Sequence, residues 1–273
     1  MIRDTGFVLV EKPQPNIALV TLNRPERMNS MAFDVMLPLR EVLTELKHDN
    51  DVRAVVLTGA GRGFSSGADH KSAGSVPHVA GLTRPSFGLR SMDVLDDVIL
   101  AMRKLHQPII AAVNGAAIGG GLCLALAADI RVAASGAYFR AAGINNGLTA
   151  SELGLSYLLP RAIGSSRAFE IMLTGRDVDA QEAERIGLVS RQVPDEDLLP
   201  AAFEIAARIA AFSRPGTELT KRTLWSGLDA GSLEGHMQAE GLGQLYVRLL
   251  TANFEEAVAA RAENRAPVFT DDK

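Results

Sequence analysis

Two glycine-bearing turns carry the clearest chemical potential in this sequence. Gly63-Phe64-Ser65-Ser66-Gly67-Ala68-Asp69 follows a β-branched run ending at Thr58, and Asn114-Gly115-Ala116-Ala117-Ile118-Gly119-Gly120-Gly121 follows an apolar run ending at Val113. Turns at the carboxyl ends of strands are where open α/β sheets bind ligands. Three consecutive glycines opening a helix leave backbone N–H groups that no side chain covers. The helix end adds partial positive charge, so an oxyanion is well placed there. A lone glycine triplet serves close packing equally well; two such turns together favour function.

Other candidates lack their context. Gly63-Phe64-Ser65-Ser66-Gly67 satisfies G-x-S-x-G, but a nucleophile elbow needs its serine on a sharp strand-to-helix turn, and a flexible stretch follows Gly67. The glycines at 115–121 do not form G-x-G-x-x-G with a following acidic residue, and no P-loop lysine follows, which argues against a dinucleotide or nucleoside-triphosphate fold. The histidines at 48, 70, 78, 106 and 236 show no metal-ligand spacing. His48 and His106 fall at helix C-termini, where the dipole favours them; His70, beside the first glycine turn, is the one placed to face a ligand. Cys123 lies in an apolar run and reads as a small buried hydrophobe.

The elements that must position these turns follow from periodicity. Strands are expected over 7–11, 17–22, 52–58, 109–113, 129–133 and 188–193, from their β-branched and apolar runs. A helix after Ser30 keeps Phe33, Met36, Leu37, Leu43 and Leu46 on one face, with Pro38 bending it or marking its start. The stretch 59–90 reads as a long functional or mobile loop, followed by a helix capped by Ser91. A short apolar helix spans 122–128, and Asp179 with Glu182 makes a capping pattern. Long helices follow from about 195, 217, 233 and 253. Alternating strands and helices imply an α/β core, and the all-helical end implies a layer for packing or oligomerisation. We divide the chain into a core over 1–195 and a helical region over 196–273.

Composition narrows the class. A net charge of −4 offers no general attraction to nucleic acid or anionic membranes, so an anionic ligand must be captured locally. The single cysteine excludes an intrachain disulfide, the first twenty residues lack a secretory pattern, and no apolar stretch can span a bilayer. A cytoplasmic protein without nucleic-acid or membrane partners is expected.

At the two turns, the sequence resembles the enoyl-CoA hydratase/isomerase (crotonase) superfamily. Asn23-Arg24-Pro25 with Met28-Asn29 resembles its N-R-P-x-x-x-N loop, which lies against CoA; residues 64–69 resemble F-x-x-G-A-D; and residues 112–121 resemble A-x-N-G-x-x-x-G-G-G. Ala128-Asp129-Ile130-Arg131, Leu173-Thr174-Gly175, Ala180-Gln181-Glu182-Ala183 and Gly187-Leu188-Val189 match further landmarks in order. The resemblance implies a spiral of ββα-like turns, a helical C-terminal trimerisation region, and a homotrimer or dimer of trimers. It implies an acyl-CoA substrate in fatty-acid metabolism and no cofactor, coenzyme A being part of the substrate. An oxyanion hole would be formed by the N–H groups of Ala68 and Gly120, with Met28, Ser66, Asp69, His70 and Gly119 completing the substrate contacts. One such preorganised donor is worth about 3 kcal/mol in a transition state.

The departures from that pattern bear on the reaction. Family hydratases place one glutamate two residues after the glycine triplet and a second about twenty residues later; here these positions hold Cys123 and Gly143. Glu152 falls near where several family isomerases carry a catalytic aspartate, with one residue inserted between Gly147 and Glu152. Burial among Leu153, Leu155 and Leu158 would raise its pKa towards a useful range; as a helix-N-terminal carboxylate it would instead be held by the dipole. Arg261 and Asn264 stand where the family's C-terminal ending has Phe and Lys. The expected activity is double-bond isomerisation or hydration of an enoyl-CoA, with a catalytically lapsed acyl-CoA-binding protein as the alternative.

Overall fold

The computed structural model describes residues 3–271. Its larger sheet has seven strands. β1 (Arg3–Asp4), β2 (Val8–Gln14) and β3 (Ile17–Leu22) are antiparallel neighbours. β4 (Ala54–Gly59), β6 (Ile109–Val113), β8 (Ile130–Ala134) and β11 (Arg191–Val193) then continue from β3 in parallel. The first hairpin runs later than its sequence suggested. β2 continues through Pro13, where the register shifts between Glu11 and Gln14, because a strand accommodates a proline at such an irregularity.

A second, four-stranded sheet is built from β5 (Gly63–Ser65), β7 (Ala116–Ile118), β9 (Tyr138–Arg140) and β10 (Asp177–Asp179), in the order β10-β9-β7-β5. Each of these strands has three residues, too few to show a period of two; sequence reasoning placed β5 and β7 in turns and assigned no strand at β9 or β10. Successive strands step from the large sheet to the small one, β4 to β5 and β6 to β7, before a helix returns the chain. α2 (Arg84–Lys104) closes the first such unit and α3 (Gly120–Ala127) the second. This is the ββα spiral expected, with a mixed α/β, largely parallel core.

α1 (Phe33–His48) carries Pro38 in its second turn. α2 begins seven residues before the expected Ser91, at a cap of its own: the Thr83 hydroxyl accepts the Ser86 N–H, and Pro85 sits in the first turn. The loop after Gly59 is correspondingly shorter than its composition implied.

Alternate side chains of the large sheet serve two cores. Ala18, Val20, Leu22, Val55, Leu57, Ile109, Ala111 and Val113 face the spiral interior with α1, α2 and α3. Ile17, Leu19, Ala54, Val56, Ile110, Ala112 and Val132 face outward and are covered by Leu198, Ala201, Ala202 and Ala206 of α7 (Leu198–Ala210). α7, first of the C-terminal helices, therefore closes the outer face of the sheet. α8 (Arg214–Gly227) is pinned through Asp129, whose carboxylate meets Lys221 Nζ at 2.8 Å and Trp225 Nε1 at 2.6 Å. Beyond it, α9 (Leu233–Leu250) has no buried residue, and α10 (Asn253–Ala262) follows. Clefts of about 660 and 610 Å³ run along α8, lined by residues remote from both glycine turns.

Candidate active site

The two glycine turns come together at the mouth of α3. Gly67 has φ +81°, and a Cβ there would lie 2.5 Å from the Ile118 carbonyl oxygen and 3.5 Å from the Gly120 nitrogen. Only a residue without a side chain allows this approach. The bridge between Met31 and Ala68 fixes the first turn: Met31 donates its N–H to the Gly67 carbonyl (2.7 Å), and Asp69 donates to the Met31 carbonyl (2.9 Å). Those bonds use the peptides on either side of Ala68, and its own N–H has no acceptor among the described residues. Gly120 is the first residue of α3, where the N–H has no intrahelical partner, and among the described residues it has no other. Two adjacent turns thus present two unspent backbone donors, one backed by a helix N-terminus. Gly121 packs against Ser65, so close that a Cβ would lie 2.9 Å from the serine Cβ.

The side chains of the N-terminal loop brace this arrangement from beneath. Asn29 is fully buried: its carbonyl accepts the Arg24 N–H at 2.8 Å, and its amide donates to Ala60 O (2.9 Å) and Gly63 O (2.8 Å). Met28 and Asn29 both adopt left-handed backbone, and Met28 O accepts the Ser66 N–H at 2.9 Å. Asp69 is similarly committed. Its carboxylate takes Arg24 Nη1 (3.0 Å), the Ser30 hydroxyl (3.2 Å) and the N–H groups of Lys71 and Ser72 (both 2.9 Å). Burial works against its ionisation, but the Lys71, Ser72 and Ser30 hydrogen bonds and nearby Arg27 prevail and bring its pKa down to about 2. Its side chain and its N–H both hold the turn, and only its backbone carbonyl is left to face a ligand. None of this was evident from spacing alone; the sign was polar residues clustered in a loop that pairs with no strand.

Ser65 is fully buried and donates its hydroxyl to Asn29 O at 2.8 Å. It is bound to the backbone under the turn, in a position no substrate reaches, which removes the nucleophile-elbow reading. Among the described residues, no group of three or more His, Cys, Asp or Glu side chains could hold a metal ion.

Glu152 reaches the same place from the other side. Its Oε1 lies 3.1 Å from where a Cβ on Gly119 would stand, directly beside the mouth of α3. It belongs to the segment leading into α4 (Leu155–Ile163), with Leu153 (φ +47°) and Gly154 (φ +80°) both left-handed. The Leu153 side chain packs 3.3 Å from the Cβ position of Gly120. Burial raises the Glu152 pKa, and the charge of His70, exposed beyond Ala68, pulls in the opposite direction. A carboxylate held mainly by a helix dipole would be lowered; this one is raised, as burial demands.

The two positions that the resemblance would give to glutamates are closed. Cys123 is fully buried, its thiol pKa pushed well up by burial and then by the Glu152 charge. A Cβ on Gly143 would land on the Thr149 carbonyl oxygen, with its carbon 2.8 Å and Ala150 Cα 3.2 Å away. The chain that delivers Glu152 thus occupies the space a side chain at 143 would need. The sequence showed the missing carboxylates, but not that this space was closed.

A model of the enoyl-CoA hydratase/isomerase family matches residues 12–272. A Mycobacterium tuberculosis protein named probable enoyl-CoA hydratase EchA12 is 83% identical over 98% of this chain and 94% of its own. A solved Mycobacterium abscessus structure, described as a probable enoyl-CoA hydratase/isomerase, superposes with a TM-score of 0.94 at 71% identity, covering 98% of this chain and 99% of that one. A structure from M. smegmatis, described as a monofunctional enoyl CoA isomerase, is also 71% identical, with a TM-score of 0.73 over 85% of this chain and 98% of its own. The chain belongs to the enoyl-CoA hydratase/isomerase family, and it has that family's fold.

Proposed function

We propose that this protein shifts the double bond of a 3-enoyl-CoA to the 2-position, using one carboxylate and a backbone oxyanion hole. The observation that carries this is Glu152, a carboxylate with a raised pKa set against Gly119 beside two free N–H donors, while the 143 position is closed. Glu152 takes a proton from C2, and the electrons pass to the thioester oxygen, which accepts hydrogen bonds from Ala68 and Gly120. Glu152 then returns the proton to C4, and the double bond settles between C2 and C3. No water is consumed and the carboxylate is regenerated, so one base suffices. Met28, Ser66, Gly119 and the backbone of Asp69 border the thioester, with His70 at the rim. Coenzyme A arrives as part of the substrate, and no separate cofactor is needed.

The naming of the 71%-identical M. smegmatis structure as a monofunctional isomerase supports this assignment. The name of the 83%-identical M. tuberculosis protein supports hydration instead, which would require Glu152 to activate water unaided. We also propose assembly into trimers through α8–α10, whose exposed Leu224, Leu242, Leu245, Tyr246, Leu249 and Phe254 are apolar side chains that a second copy would cover.

Incubation with 2-enoyl- and 3-enoyl-CoA substrates of several lengths tests the reaction. Conversion of 3-enoyl to 2-enoyl thioester without 3-hydroxyacyl product is expected, with kcat reduced about 10²- to 10⁴-fold in Glu152→Gln. Isomerisation that survives this substitution would eliminate the assigned base. CoA binding without turnover of any substrate would mark a binding protein on the same fold.

A further inference from the structure

We propose that Cys123 is a positioning residue: its thiol ties the Glu152 backbone to α3, so one helix fixes both an oxyanion donor and the base. This rests on the proposed role of Glu152 and adds to it the device that sets the distance between the two groups.

α3 is a helix of Gly, Leu, Cys and Ala, and Cys123 is its one side chain able to donate a hydrogen bond. Cys123 lies one turn after Gly120, its N–H bonded to Gly119 O at 3.1 Å. Its Sγ donates to the Glu152 carbonyl at 3.5 Å. That carbonyl also accepts the Leu155 N–H at 2.8 Å, and its second lone pair is what the thiol engages. The segment needs holding. Leu153, a bulky residue with φ +47°, followed by Gly154 at +80°, makes a left-handed kink that persists only where its surroundings over-determine it. Leu153 against Gly120 and Cys123 against the Glu152 carbonyl are contacts from α3 that do so. The thiol is suited to the task because burial keeps it protonated, hence a donor.

The single cysteine gives the test its own signal. In the folded protein, the infrared S–H stretch is expected below that of an alkanethiol in hydrocarbon solvent. It should stay there in Glu152→Gln, because the acceptor is the backbone. Cys123→Val keeps the volume and loses the donor, and Cys123→Ala serves if valine disturbs folding. Either is expected to lower isomerisation kcat about tenfold, as displacement of a base by a fraction of an ångström does, with KM changed less than twofold. In the Glu152→Gln background, the same substitution should have no further effect. An unshifted S–H band, wild-type kcat in Cys123→Val, or an equal loss in both backgrounds would each overturn the proposal. Wild-type activity in Glu152→Gln with the band still shifted would remove the base assignment and the positioning role with it, leaving only a structural tether.

Discussion

Gly143→Ala is the smallest change that tests whether the path to Glu152 excludes any side chain at 143. The added Cβ would fall on the Thr149 carbonyl oxygen and 2.8 Å from its carbon, where carbon atoms ordinarily approach to about 3.5–4.0 Å. The obstacle is backbone, so no rotamer change relieves it, and residues 149–150 must retreat by about 1 Å. Overpacking of this kind costs about 1–3 kcal/mol. In a chain of this size that is a fall in Tm of about 2–10 °C by thermal denaturation. Glu152 lies three residues beyond Thr149, so the displacement also reaches the base, and a shift of about 1 Å can lower kcat about 10²-fold. Gly143→Glu should do the same and gain no hydration of 2-enoyl-CoA. If Gly143→Ala melts and turns over like the wild type, or Gly143→Glu hydrates, the space at 143 is not closed and the case for isomerisation loses its steric half.

Four further outcomes are expected. Glu152 must be ionised to act as a base, so kcat/KM on 3-enoyl-CoA should rise with pH through a limb above the ordinary glutamate range, and the limb should vanish in Glu152→Gln. A raised folded-state pKa contributes stability that is lost as pH rises through it, so Glu152→Gln should melt no lower than wild type above that limb. Asp69 has the opposite sign: its stabilisation is present above the ordinary aspartate pKa and is lost as pH falls towards about 2, so acid unfolding of Asp69→Asn should be flatter over that interval when followed by circular dichroism. Asn29→Ala removes three hydrogen bonds at once, two of them buried and one partly buried, and should cost about 2–5 kcal/mol in chemical denaturation.

Much of the architecture was legible in the chain. β3, β4 and β6 announce themselves as β-branched or apolar runs, and Gly119-Gly120-Gly121 before Leu122 marks a helix mouth that no side chain covers. The small sheet did not, because its three-residue strands owe their existence to pairing with one another. The start of α2 at Arg84 was hidden inside a stretch whose Gly and Ser content suggested a loop, although Thr83 with Pro85 is a capping signature.

The donors and the base divide in the same way. Local chemistry marked the glycine triplet as a helix mouth suited to an oxyanion, and the resemblance to the family, carried by short segments, nominated Ala68, Gly120 and Glu152. Whether they meet was a tertiary matter. Gly67 must come so near Gly120 that a Cβ there would touch its nitrogen, Asn29 must span Arg24, Ala60 and Gly63, and the left-handed kink at Leu153 must turn Glu152 onto Gly119. Asp69, which the motif placed among the ligand contacts, is held by Arg24, Ser30, Lys71 and Ser72 because those partners converge only in the fold. Gly143 is the sharpest case. In the sequence it is an absent carboxylate; in the structure it is a place where the Thr149 carbonyl already stands, because two atoms cannot share one volume.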